Sequence, residues 1–323
     1  MTISNSTNWT RTKQDIIKMA FFHIGKYANG RTIEAEDYFV ASQLLNDMIK
    51  EWEPDLHLWT KTEGIVHLTQ YTGEYELGTY TYFTRRDNQL TRQLAANYVA
   101  TDTVITLDST EDFSLGNTNI GVVLDTGMTH WTTISNINVD GITLTLTDAL
   151  PSAASDNNLV YYFSTTEDKP LRILDARLLK GYDAGSTSDQ LGLPMSVIAY
   201  EDYWGIVATS LNGQIPNQYC YNPKSTDGTL YIWPRPTDTS YRLQITYERI
   251  LNDLDNISDT VDFPQEWFSA LHYQLAVRLA PGYGKSDRLA VLVPIASEML
   301  NNAKDKDNEL AYIKFSPNWD GNY

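Results

Sequence analysis

Apolar residues recur every three or four positions at both ends of the chain and every two positions in its middle. Near the start, Ile17, Phe21 and Ile24 share one face of a predicted helix. Thr12 is placed to cap it and Asn29-Gly30 to stop it. A second stripe, Tyr38, Ala41, Leu45, Met48 and Trp52, predicts a helix capped at Thr32 and ended by Pro54. Glu34, Glu36 and Asp37 fall in its first turn, where carboxylates favour the helix dipole. More than two hundred residues later, Phe268, Leu271, Leu275 and Leu279 form a third stripe, with Pro264 in the first turn and Pro281-Gly282 at the close. Ser286 or Asp287 can cap a fourth helix carrying Leu289, Leu292, Ala296, Met299 and Ala303, and Pro294 within it should kink or split it. No helix can bury its stripe alone. The four should form one layer that joins the two ends of the chain, and the rest is an excursion from that layer.

From Thr60 the period changes to that of strands. GIVHLTQYTGEYELG predicts two short strands around a Gly-containing turn. Between Gln93 and Asp168, VITL, IGVVLD, HWTTISNI, ITLTLT and LVYYFS are separated by Gly, Asn, Asp and Pro turn residues. Ile142, Leu144 and Leu146 alternate there with Thr143, Thr145 and Thr147, the pattern of a half-buried antiparallel strand. KPLRILDARLL then resumes a strand, GSTSDQLGLP is a turn region, and Tyr200–Ile206 starts a short helix. TLYIWPRP and YRLQITYERI predict a strand pair around a Pro-rich turn. The reading is α+β. Residues 1–92 and 169–308 form a helical-layer domain with a β excursion. Residues 93–168 form an inserted small β-sandwich or barrel, the alternative being a continuous β domain without a boundary. In the tail, 309–323, Tyr312, Phe315, Trp319 and Tyr323 are too apolar to stay in water, and Pro317 opposes a helix. A docking arm is expected there, with these four aromatics as partner-binding anchors.

Charge sharpens the picture. The chain has 24 Lys and Arg against 41 Asp and Glu, a net −17, which argues against non-specific attraction to nucleic acid or anionic membrane. The 93–168 block holds ten acidic residues and no Lys or Arg. Cys220 is the only cysteine, so an intrachain disulfide framework and a thiolate metal cluster are excluded. The first residues lack the apolar run of a signal peptide and no stretch approaches a membrane span, so folding in the cytosol is expected.

Candidate chemistry is thin. GYGKS (282–286) ends like a phosphate loop, but the Gly required five residues before Gly284 is Leu279. The connector with Asp253, Asp255, Asn256, Asp259 and Asp262 has Ile257 and Ser258 where a calcium loop needs a polar ligand and Gly. His23 and His272 lack a second ligand at helical spacing, and no Ser sits in a G-x-S-x-G elbow. Two distant carboxylates of a glycosidase would leave no local signature. Aromatics beside acids, as in Tyr200–Trp204, suit either sugar binding or packing. No catalytic, cofactor or metal residue is assigned, and a non-enzymatic protein is expected.

The motif FPQEW-x-x-ALHYQLAVRLAPGYG resembles the head-to-tail adaptor proteins of tailed bacteriophages, as does LLNDMIKEW followed by LHLW. KPLRILDARLL, GLPMSVIAYEDYWGI, QIPNQYCYNP, GTLYIWPRP and ITYER match in the same order, covering most of the chain outside 93–168. The resemblance implies a virion protein of the neck, assembled in the host cytoplasm. Its partners would be the portal, a downstream nozzle or tube protein, and further copies in a homo-oligomeric ring, usually of twelve. Genomic DNA would pass through the lumen without sequence-specific binding, and no membrane is involved. Such a ring extends the DNA channel, helps retain the packaged genome and gives the tail a platform. The alternatives are a carbohydrate- or receptor-binding tail module and a glycan hydrolase.

Overall fold

The structure, a computed structural model, describes residues 9–27, 31–57, 59–78, 83–111, 113–115, 119–180, 191–212, 215–237 and 241–307. Among these the helices are α1 (Lys13–Ile24), α2 (Ala35–Trp52), α3 (Tyr200–Gly205), α4 (Phe268–Gly282) and α5 (Leu289–Lys306). The chain divides into two compact units, 1–60 with 251–323, and 61–250. The class is α+β.

In the first unit, α1, α2, α4 and α5 share one core although the outer pairs lie more than two hundred residues apart. Ile17, Phe21 and Ile24 of α1 meet Ala41, Leu45, Met48 and Trp52 of α2 and Leu271, Leu275 and Leu279 of α4. Leu292 and Ala303 of α5 complete it. Thr12 and Asp15 form a reciprocal capping box, which satisfies two amides that the first turn of α1 would leave bare.

Four helix ends and the interior of α5 depart from expectation. α4 starts only at Phe268, after a 3-10 turn, Gln265–Trp267, that Pro264 precedes, so Pro264 is not in its first turn. α1 stops at Gly25, which takes the left-handed conformation (φ 71°) that glycine adopts without strain, five residues before the expected Gly30. Asn29-Gly30 lies outside the described residues. Glu34, not Thr32, precedes α2, and it makes no side-chain cap bond. A 3-10 turn, Ser286–Arg288, takes up the predicted caps of α5, whose cap position is Arg288. α5 then runs unbroken through Pro294, because the proline sits on the exposed face where a freed carbonyl meets water.

The strands of the second unit are β1 (Lys61–His67), β2 (Glu74–Leu77), β3 (Phe83–Arg85), β4 (Gln89–Gln93), β5 (Val104–Thr106), β6 (Asn119–Val123), β7 (Thr129–Ile137) and β8 (Thr143–Leu146). They continue as β9 (Leu159–Phe163), β10 (Arg172–Lys180), β11 (Leu191–Pro194), β12 (Ser196–Val197), β13 (Gln218–Pro223), β14 (Gly228–Trp233) and β15 (Tyr241–Glu248). One sheet has the order β11-β10-β15-β1-β3 and a second the order β12-β13-β14-β2. Their inner faces share one core, with Val66, Phe83, Leu178, Leu243, Ile245 and Tyr247 from the first and Leu77, Tyr219, Leu230 and Ile232 from the second. This is a β-sandwich.

The third sheet, β4-β9-β6-β7-β8-β5, curls until its edges meet. Leu94 bridges Leu107, and the Ala95 and Asp108 amides donate across the seam at 2.9 and 3.1 Å. The result is a small barrel filled by Ile105, Ile120, Val122, Ile134, Leu144, Leu146, Val160 and Tyr162. Leu144 and Leu146 face inward as their alternation predicts, but Ile142 is exposed. Its amide is bound by Asp140 in the preceding turn.

Two strand expectations need correcting. β14 and β15 were expected to pair around the Pro-rich turn, but they lie in different sheets. Seven residues, beginning Pro234-Arg235-Pro236, separate them, and that is a crossing between sheets rather than a two-residue hairpin. The end of GSTSDQLGLP is not a turn: Leu191–Pro194 forms β11 and pairs with β10. Residues 181–190 lie outside the described residues.

The expected domain limits at 92/93 and 168/169 both fall inside the second unit. β4 begins at Gln89 and pairs with β9 along its whole length, so it belongs to the barrel sheet. Glu167 belongs to the sandwich, where its carboxylate meets Arg85 Nε at 2.8 Å and accepts from the Tyr247 hydroxyl at 3.0 Å. The natural stalk is Asn88 and Thr165, whose side chains bond at 2.8 Å. Removing 89–164 and joining these two through a pair of glycines is expected to keep the sandwich folded. Removing 93–168 strips Glu167 from Arg85 and leaves β4 without β9, so that variant should be far less soluble. Circular dichroism and the soluble yield of the two variants check this.

Candidate assembly surfaces

The four aromatics expected to anchor a docking arm, Tyr312, Phe315, Trp319 and Tyr323, lie outside the described residues. The structure does place the point where the arm begins. α5 ends at Lys306, and Asp307 accepts a hydrogen bond from the His57 amide at 2.8 Å. One turn earlier Lys304 pairs with Asp55 at 2.9 Å. The last described residues therefore lie beside the C-terminal end of α2.

At the other end of α2 lies a groove of about 760 Å³ lined by Met19, Phe22, Tyr27, Ile33, Tyr38 and Ile257, with Lys18 and Arg31 among its polar residues. It lies where α1 ends at Gly25 and α2 starts at Ala35. Phe22, on the α1 face away from the core, is 51% exposed. Beside the groove, Lys26, Tyr27 and Tyr283 converge on the Asp37 carboxylate. Burial pushes that carboxyl up, but these hydrogen bonds outweigh it and hold it below its ordinary value.

A second apolar surface lies in the other unit. Trp204 and Tyr200 of α3 are half exposed and pack with Tyr203 on Tyr231 of β14. Tyr200 and Trp204 meet edge to face, at 73° and 6.0 Å, so they do not form one flat platform. Val197 and Ile215, both exposed, are further apolar residues of this unit.

The candidate chemistry resolves into structural roles. In GYGKS the Gly284 and Lys285 amides donate to Pro281 and Ala280 carbonyls, so they close α4 and cannot cradle a phosphate. The acidic connector is clamped to the helices. Lys13 donates to the Leu254 carbonyl at 2.6 Å, Lys50 to the Leu251 carbonyl at 2.7 Å, and Lys50 also pairs with Asp253 at 3.0 Å. Among the described residues no group of three or more His, Cys, Asp or Glu could hold a metal ion. Cys220 is buried on β13, and desolvation raises its thiol pKa, the opposite of an activated nucleophile. Among the described residues no helix is long and apolar enough to cross a membrane.

Two histidine arrangements escaped the sequence. His23 and His272 come from opposite ends of the chain and meet Nε2 to Nδ1 at 3.1 Å, with His23 stacked on Tyr273. Burial lowers both, His272 to about 4, and a neutral pair can share one N–H between the rings. His67, at the end of β1, is buried between sandwich and barrel against Trp131, Tyr161 and Phe163. Arg242, its register partner on β15, donates to Thr91 of the barrel at 3.2 Å.

No family model matches this chain, and no curated protein matches it. Among solved structures, VP17, a capsid protein of bacteriophage P23-77, aligns at 14% identity over 64% of this chain and 80% of that one. The TM-score is 0.13, so the alignment carries no argument about fold or role.

Proposed function

We propose that this protein is a structural component of a phage virion, a head-to-tail adaptor that forms a ring beneath the portal. The observation that supports this is where the adaptor-like motifs fall. LLNDMIKEW ends α2 and FPQEW-x-x-ALHYQLAVRLAPGYG builds α4, and these distant segments meet in one core, with Trp52 against Trp267 at 6.0 Å. The motifs thus describe one helical unit, the part that would form the ring wall. The two β modules, inserted as a block between Thr60 and Leu251, would be its decoration. The assigned polar clusters stabilise the fold, and none forms a catalytic constellation among the described residues.

In this role DNA passes through an acidic ring. Few cations are available to release counterions from phosphate, so a duplex is threaded rather than held. Sedimentation of the full chain with the portal protein of the same virion tests the reading. Co-migration at one adaptor per portal subunit is expected. The carbohydrate-binding alternative draws on exposed Trp204 and Tyr200, whose crossed rings suit packing better than a sugar platform. Saturable glycan binding without portal binding would replace the adaptor reading with that one.

A further inference from the structure

We propose that the groove between α1 and the start of α2 receives the aromatic arm of a neighbouring copy of this chain. The inference concerns self-assembly and does not depend on the adaptor reading, since an arm in a groove can close a ring of any function.

Three observations carry it. The first is the groove itself, in which Met19, Phe22, Ile33 and Tyr38 present an apolar surface beside the buried core of the helical unit. The second is charge. Lys18 and Arg31 border this groove, and among the described residues neither has an ion-pair partner, in a chain of net charge −17. The sixteen residues after Asp307, NELAYIKFSPNWDGNY, bring large aromatics together with Glu309 and Asp320 against a single Lys314. Aromatic anchors in a pocket with opposite charges at the rim suit such a contact.

The third observation is position, and it selects a neighbour over the chain's own arm. The arm starts beside Asp55 and His57, past the C-terminal end of α2, while the groove lies at its N-terminal end. The 18 residues of α2 set these about 27 Å apart. Folding back would spend roughly eight extended residues on that span, so Tyr312 and Phe315 would be used up in reaching the groove and only Trp319 and Tyr323 could enter it. A neighbour's arm has no such span to cover. Donor and acceptor at opposite ends make the contact heterologous, and repetition of a heterologous contact gives a ring when the rotation closes.

The test uses full-length chains without portal. A labelled peptide of residues 308–323 is titrated into protein whose own arm carries Phe315→Ser and Trp319→Ser. Saturable binding is expected, weakened at least tenfold by Phe22→Asp and also by Lys18→Glu, a rim change that leaves the apolar lining intact. No saturable binding, or binding indifferent to both changes, overturns the groove. Trans docking is read by mixing two chains, one Lys18→Cys and the other Trp319→Cys, under mild oxidation. An intermolecular disulfide is expected. A bond formed only within a chain carrying both changes would overturn the neighbour. A protein that fails this test yet still binds portal would leave the adaptor reading standing.

Discussion

Replacing Trp267 with alanine is expected to cost about 3–5 kcal/mol and to lower the melting temperature of the helical unit by roughly ten degrees. Trp267 is 1% exposed and sits where the two ends of the chain meet. It packs on Trp52 at 6.0 Å and on Phe263 at 5.8 Å, and Phe263 in turn meets Trp59 at 4.9 Å. Truncation removes a large apolar surface and leaves a cavity whose other walls are aromatic rings, which cannot collapse to fill it. Phe39→Ala is the control, since Phe39 is 61% exposed on α2 and its loss should change stability by less than about 0.5 kcal/mol. Thermal melts followed at 222 nm separate the two. Equal effects would mean that Trp267 does not hold the layer together.

The second large effect is acid lability centred on His67. Desolvation, with a smaller contribution from the charge of Arg242, lowers its pKa from 6.5 to about 3. The folded pKa lies below the unfolded one, so between those values the unfolded chain binds a proton that the native chain refuses. The stability from the neutral ring is therefore fully present above pH 6.5. It is lost as pH falls from there towards 3, at up to about 1.4 kcal/mol per pH unit. Neither ring nitrogen has a hydrogen-bond partner among the described residues, so the ring is held by packing against Trp131, Tyr161 and Phe163. His67→Phe should therefore fold well at neutral pH and lose less stability on acidification. Comparing the two proteins by urea unfolding at pH 7 and pH 4.5 should show a difference of about 2–3 kcal/mol in acid sensitivity. Parallel pH profiles would rule out His67 as the source. His272, lowered to about 4, acts in the same direction in the helical unit, which makes the comparison between variants the informative quantity.

What was legible in the sequence follows from the range of the forces involved. The helical stripes were readable because a 3.6-residue period is local, and Leu271, Leu275 and Leu279 state it within nine positions. Their union into one layer was readable because no other apolar face could cover them. The barrel was readable as a block, since alternation such as Leu144 and Leu146 against threonines is also local. Its edges were not, because β4 is assigned by the partner it finds seventy residues away in β9. The same limit misplaced β14 and β15, two convincing strands whose pairing is decided by the chain crossing between sheets. His23 and His272, 249 residues apart, carried no spacing signal at all. The groove was hidden for a different reason. It lies beside the end of α1, which Gly25 places earlier than Asn29-Gly30 had suggested.

The proposed assembly role draws on a few of these features. The helical core joins α1 and α2 to α4 and α5, so the unit is complete only once α5 has been made. The chain's apolar residues are not all spent inside, with Phe22 left at the groove and Trp204 on α3. Exposed apolar residues of this kind are what the proposed assembly role would use.

The measurement that bears most directly on the proposed role is electron microscopy of the full-length protein mixed with the portal of the same virion. A ring of this chain bound to the portal and sharing its rotational symmetry, with the helical unit in the wall, is the predicted result. Portal rings free of density, beside unattached protomers at concentrations far above those in an assembling virion, would contradict it.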